Sequence, residues 1–131
     1  MTRPLRWYLR LLAGLTMISW LAQLDLPARV GAASAWGVAR GWQREIAVWD
    51  FVTYIVIVRT LQSNDAVAAR TVAIALVLLQ LLVAGNHAAA AIQSGAILNA
   101  VMAGINFGCA VFGIVALRVH AVSQDLANSA A

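Results

Sequence analysis

The sequence contains no lysine, one cysteine, two prolines and only five acidic residues in 131 positions. Each shortage excludes something. A lone Cys109 can close no intrachain disulfide and form no CxxC redox pair, and its place in an apolar run reads as a small packing residue. Charged residues make up 11% of the chain, where soluble domains carry about a quarter, so there is too little polar surface for a water-soluble fold. No HExxH, paired-cysteine metal motif, glycine-rich phosphate loop or GxSxG is present, which leaves zinc hydrolysis, nucleotide binding and serine hydrolysis without a foothold. Metal sites and cofactors are therefore not expected. His87 and His120 fall at opposite ends of the chain's membrane path and cannot share one metal or haem.

What the chain has in quantity is apolar, 63% of its residues. That composition predicts an all-α integral membrane four-helix bundle, since a span takes about 20 apolar residues and 131 leave no room for a soluble domain. A single domain over 1–131 is expected, with spans near 7–24, 42–61, 66–91 and 96–119 and an interfacial segment at 26–41. Pro27 suits the first turn of a short helix, and Trp36 suits the headgroup zone. "QSND" at 62–65 supplies a tight turn in which Ser63 or Asn64 caps the next helix and Asp65 sits at its positive end. "QSG" at 93–95 closes a second hairpin, and a short polar tail follows the fourth span. A basic start, an apolar stretch and "AASA" at 32–35 imitate a cleavable leader, but the polar stretch from Asp25 to Ser34 favours an anchored first helix.

All nine basic residues are arginine. With the heavy alanine usage they point to a GC-rich bacterial genome. They scatter along helix ends instead of clustering on one face, so the net charge of +4 orients a membrane protein and does not mark a nucleic-acid surface. Six fall on one side (Arg3, Arg6, Arg10, Arg59, Arg70, Arg118) and three on the other (Arg29, Arg40, Arg44). The positive-inside rule then predicts both termini in the cytoplasm of a multi-pass bacterial inner-membrane protein.

Position converts to depth at ~1.5 Å per helical residue. Counted from the basic residue ending each span, Asp50 lies at roughly 13 Å, Gln80 at roughly 15 Å and Asn106 at roughly 18 Å. Glu45, His87 and Asn99 lie further out, at roughly 21, 25 and 28 Å. Arg44, Asn86, Gln23 and Asp25 join that outer tier. Gln80 and His87 are seven apart, as are Asn99 and Asn106, and Asp50 and Tyr54 are four apart, so each pair shares a helix face. The pattern predicts a polar cavity that opens to the external side and narrows at Asp50, with Trp42, Trp49 and Tyr54 as aromatic walls. Asp50 carries the functional expectation, because an ionisable group inside a membrane is costly. Arg44 and Glu45 have pairing or snorkelling as the competing explanation, and Gln80, Asn99 and Asn106 have plain interhelical hydrogen bonding.

The order of features resembles that of small four-helix bacterial membrane proteins related to the DoxX-like group. The elements are "LDLPARVGAA" closing the first span, "WQREIAVWDFVTYIVIVRTL", "AARTVAIALVLLQLL" and "GNHAAA". The resemblance lies in layout and hydropathy, implies a four-helix membrane bundle and brings no catalytic residues. A small multidrug transporter would carry an acid in its first helix, and here none precedes Asp25.

Three functions fit the sequence. The first is binding of a hydrophobic or amphipathic ligand, or a membrane partner, through the external pocket, with Trp42, Arg44, Trp49, Tyr54, Gln80, Asn86, Asn99 and Asn106 as its lining. The second is a membrane enzyme (isomerase, cyclase or epoxide hydrolase) in which Asp50, Glu45 and His87 perform acid–base chemistry on a lipid-soluble substrate. The third is a structural accessory subunit. Gly104 and Gly108 form a small-xxx-small pair that permits close helix approach, within the chain, to a second copy or to a partner in the bilayer.

Overall fold

The computed structural model describes residues 1–130 and is all-helical, with no strand among the described residues. Five helices follow in order: α1 (Arg3–Asp25), α2 (Pro27–Ala33), α3 (Arg40–Ser63), α4 (Ala66–Ser94) and α5 (Ile97–Ser129). Helices α3, α4 and α5 are each long and apolar enough to cross a membrane; α1 reaches that standard only together with α2, from which it is bent by 102°. The weakness of α1 has a plain source in its arginines and in Thr16, Ser19, Gln23 and Asp25.

Local chemistry explains the breaks. Pro27 occupies the first turn of α2, where a missing N–H costs nothing, and the chain turns sharply at Leu26 before it. Gly31 is buried under the returning 34–39 segment: a Cβ there would lie 2.7 Å from the Val38 Cα, so only glycine admits this fold-back. In the 62–65 turn the cap falls one residue later than expected. Asp65 itself caps α4, accepting from the Val67 and Ala68 N–H groups at 2.8 and 3.1 Å, where its charge also meets the positive helix end. Asn64 instead closes α3 in the left-handed region at φ 53° and accepts from Arg6 at 2.8 Å.

The expected polar tail after 119 is helical to Ser129. No glycine or proline follows Gly113, and nothing in the intervening alanine, valine and leucine stops the helix. At ~1.5 Å per residue α5 is about 50 Å long, well beyond a hydrocarbon core of about 30 Å.

Two antiparallel pairs make up the structure. Along α1 and α3 the partners step in opposite directions: Arg6 meets Asn64, Trp20 meets Phe51 with ring centroids 4.8 Å apart, and the Pro27 carbonyl meets Gln43. The α4–α5 hairpin is the other pair. Contact between the pairs runs mainly through α1 and α5, while α3 and α4 touch little and leave an apolar groove of about 220 Å³ lined by Trp49, Val56, Val72 and Leu79. The core sits toward the end that holds both termini, around Leu5, Tyr8, Leu12, Ile57, Ala73 and Val77.

Tyr8 joins the pairs. Its ring packs edge-on against Phe112 (centroids 5.9 Å apart, planes at 88°) and over Gly113. A Cβ on Gly113 would come within 2.6 Å of the Tyr8 ring and 2.5 Å of a Val77 methyl, so this glycine is the packing one. Gly104 and Gly108 are exposed, and a Cβ on either meets nothing within 4 Å. Of the neighbours open to Gly104 and Gly108, a helix of the same chain is therefore set aside: the close approach within the chain is one turn and more further along, at Gly113. Gly113→Ala is expected to destabilise the fold by about 1–3 kcal/mol through overpacking, with Gly104→Ala within about 0.5 kcal/mol of wild type. Thermal unfolding of the two variants in detergent checks the contrast, and equal midpoints would remove Tyr8–Gly113 as the joint.

Candidate functional site

Buried polar groups occur at both ends of the molecule, and those at the end opposite the termini fall in two clusters. The first lies in the α1–α3 seam. The inward face of α3 reads Gln43, Ala47, Asp50, Tyr54 and Ile57, a spacing of three and four that repeats every two turns. Gln43 is buried, and its Nε2 donates to the Pro27 carbonyl at 2.6 Å. A carbonyl can only accept, which fixes the amide orientation and leaves Oε1 as a buried acceptor without a protein partner.

Two turns on, Asp50 is half-buried against α1, near Ser19. Its Oδ2 is buried with no partner in the chain. Gln23, on the facing side of α1, holds a third such oxygen, Oε1. Gln43 to Asp50 spans seven residues, so the unpaired acceptors line roughly 10 Å of one seam. Buried polar groups are nearly always paired, and three orphans of one kind in one place need a chemical reason.

The second cluster ties the 34–39 connector to the α4–α5 hairpin. Asn99 is fully buried; its Oδ1 accepts from the Ala35 N–H at 2.8 Å, and its Nδ2 lies 3.1 Å from His87 Nδ1. The Ala35 amide can only donate, so it fixes the carboxamide, which in turn makes His87 Nδ1 the acceptor and places the imidazole proton on Nε2. Trp36 closes over this ring, with centroids 4.9 Å apart. Neutral His87 is thus built into the connector's attachment.

The sequence-derived site divides between these settings and the outer surface. Asp50 takes its place in the seam, and His87 and Asn99 meet each other; no hydrogen bond or ion pair links Asp50, Glu45 and His87 among the described residues. Arg44 and Glu45 are exposed on α3. Trp42 and Trp49, expected as cavity walls, point outward at 69% and 71% exposure, because each directly precedes an inward residue and is turned about 100° away from it. Tyr54 packs on the core, Gln80 is half-buried, and Asn86 is exposed. Asn106 is buried but bonds its own helix, donating to the Met102 carbonyl at 2.7 Å. No three His, Cys, Asp or Glu side chains converge as metal ligands among the described residues.

Gln43 and Ser19 were the residues sequence reasoning passed over. The signal was available, since Gln43 continues the Ala47–Asp50–Tyr54 face by the same spacing, and Ser19 lies on the α1 stripe that includes Leu12 and Gln23.

No protein-family model, curated protein or solved structure matches this chain. Fold and site together define a class only: an all-helical protein with three or four helices suited to a membrane and a few polar side chains buried among them. Asn99→Ala removes the acceptor for the Ala35 amide and the donor to His87 at once. A buried hydrogen bond lost this way costs about 1–3 kcal/mol, so hydrogen exchange at Ala35 and its neighbours should accelerate about tenfold or more. Unchanged exchange there would mean that the connector is held by other contacts.

Proposed function

We propose that the chain is a four-span bundle of α1, α3, α4 and α5 in a bacterial inner membrane, both termini cytoplasmic, that binds an amphipathic small molecule in the α1–α3 seam. The arginine distribution and the end-to-end pairing of α1 with α3 support this topology, and the layout shared with DoxX-like proteins is part of the same proposal. The carrying observation is the set of orphaned acceptors, Gln23 Oε1, Gln43 Oε1 and Asp50 Oδ2. All three are oxygens, and one belongs to a carboxyl group. Such a set calls for a ligand headed by hydrogen-bond donors, an amine or a polyol, whose apolar part lies along the flanking Trp20 and Phe51 side chains. Asp50 supplies the charge-assisted bond and the glutamines its direction.

A second reading, a docking subunit for another membrane helix, draws on Gly104 and Gly108. Their small size serves no contact within the chain, and in a bilayer a small-xxx-small face admits a close neighbour, a second copy or a different subunit. No comparable arrangement favours the acid–base enzyme, because Asp50, Glu45 and His87 sit in three different settings.

Native mass spectrometry of gently purified wild type beside Asp50→Asn tests the binding function. Losing one charge-assisted hydrogen bond costs about 1.5–3 kcal/mol, so a co-purifying donor-rich molecule should be retained roughly 10–100-fold less by the variant. Identical spectra from the two proteins would return Asp50 to a structural role. Gly104→Leu with Gly108→Leu should dissociate any oligomer or complex seen in the same spectra, and an intact complex would set the docking role aside.

A further inference from the structure

A second groove, of about 420 Å³, lies at the other end of the molecule between the start of α4 and the overhanging end of α5. It stands apart from the α1–α3 seam. One wall carries Arg70, Val67 and Ile74 from α4, and the other carries His120, Gln124 and Asp125 from α5. His120 is 2% exposed, lines the groove and has an Nδ1 without any partner in the chain. Two positive charges bear on its ring, the N-terminal ammonium of Met1 and Arg70 of α4.

The level of the groove matters as much as its lining. His120 is 23 residues into α5, about 35 Å along the helix and so just past a core of about 30 Å. Ile74, one turn further into the core than Arg70, is exposed and apolar, as at the acyl boundary, while Arg70 and Asp125 lie where phosphates and headgroups would be.

We propose that this groove is a phospholipid site selective for an aminoethyl phosphate headgroup, the phosphatidylethanolamine class. Arg70 and the His120 imidazole take the phosphate, the guanidinium offering a planar fork that matches its oxygens. Asp125, on the opposite wall, accepts the N–H bonds of the primary ammonium, with Gln124 beside it. The first acyl segments lie along Ile74, one turn further into the core than Arg70. The pairing of charges gives the selectivity: a glycerol headgroup offers Asp125 neutral O–H donors without a positive charge, and a quaternary choline has no N–H to donate. This inference shares the membrane topology proposed above but not the ligand of the seam.

The test uses the full chain, delipidated in detergent, offered equimolar phosphatidylethanolamine, phosphatidylcholine and phosphatidylglycerol, and read by native mass spectrometry. Wild type should hold the ethanolamine lipid about fivefold or more over the other two, the scale of one well-placed ion pair. Arg70→Gln and His120→Gln should lose retention. Asp125→Asn, an exposed change that leaves packing alone, should keep a bound phospholipid but lose the preference for ethanolamine over choline. Equal adducts in wild type, or an unaltered preference in Asp125→Asn, would overturn the site. Displacement of the lipid by millimolar free phosphoethanolamine would overturn the lipid assignment and make a soluble phosphate monoester the ligand. A chain that stays monodisperse in buffer without detergent would overturn the membrane topology along with it.

Discussion

The missing side chain at Gly113 is the constraint on which the arrangement depends. Two antiparallel helix pairs, each continuous along its length, have little to hold them together except the approach of α1 to α5. That approach is set by Tyr8, whose ring fills the space a Cβ would take and abuts Phe112 and Val77. In water, burying so large a ring would be driven by the hydrophobic effect. Between apolar helices in a bilayer that drive is absent, and close packing of matched shapes must supply the association. One tyrosine over one glycine is such a match, and it lies toward the end that holds the termini.

Tight packing at one end leaves the other to be held by polar contacts. There the spacing of the helices is set by Gln43 reaching the Pro27 carbonyl and by Asn99 reaching the Ala35 amide, bonds that cross from long helices to the short α2 and the connector behind it. Interhelical bonds of this kind contribute about 0.6 kcal/mol each in membrane proteins, less than a shape-matched core. The end with the buried amides and the carboxylate is consequently the end where the helices separate at least expense. Unmet hydrogen-bonding capacity and softness coincide there, because the side chains in question have few partners within the chain.

Composition and periodicity made much of this legible. The shortage of charge dictated apolar helices, and the hinge at Pro27, the turn at 62–65 and the Gly95 break all followed from residues with strong local preferences. Spacing along the helices also put Asp50 on one face with Tyr54, and both lie on the inward side of α3. Rotation about each helix axis was what the sequence left open. Trp42 and Trp49 were read as walls because they neighbour Gln43 and Asp50 in the chain, yet neighbours in a helix differ by about 100° and face different surroundings. The same ambiguity hid the difference between Gly104 or Gly108 and Gly113. All three sit in one apolar helix, and only the position of Tyr8, a residue roughly a hundred places earlier, decides which glycine is needed.

The two polar ends also differ in the sign of what they lack. In the α1–α3 seam the unpaired atoms are oxygens, so the deficit is of donors. In the α4–α5 groove, Arg70 and His120 oppose Asp125, so the deficit is of a partner bearing both signs. A molecule suited to one is poorly suited to the other: a simple amine would meet Arg70, and a phosphate would meet Asp50. Like charges brought into such partly buried surroundings repel strongly, because the low local dielectric leaves them unscreened. Were both proposed sites filled, charge alone would keep their two ligand chemistries apart along the helix axes.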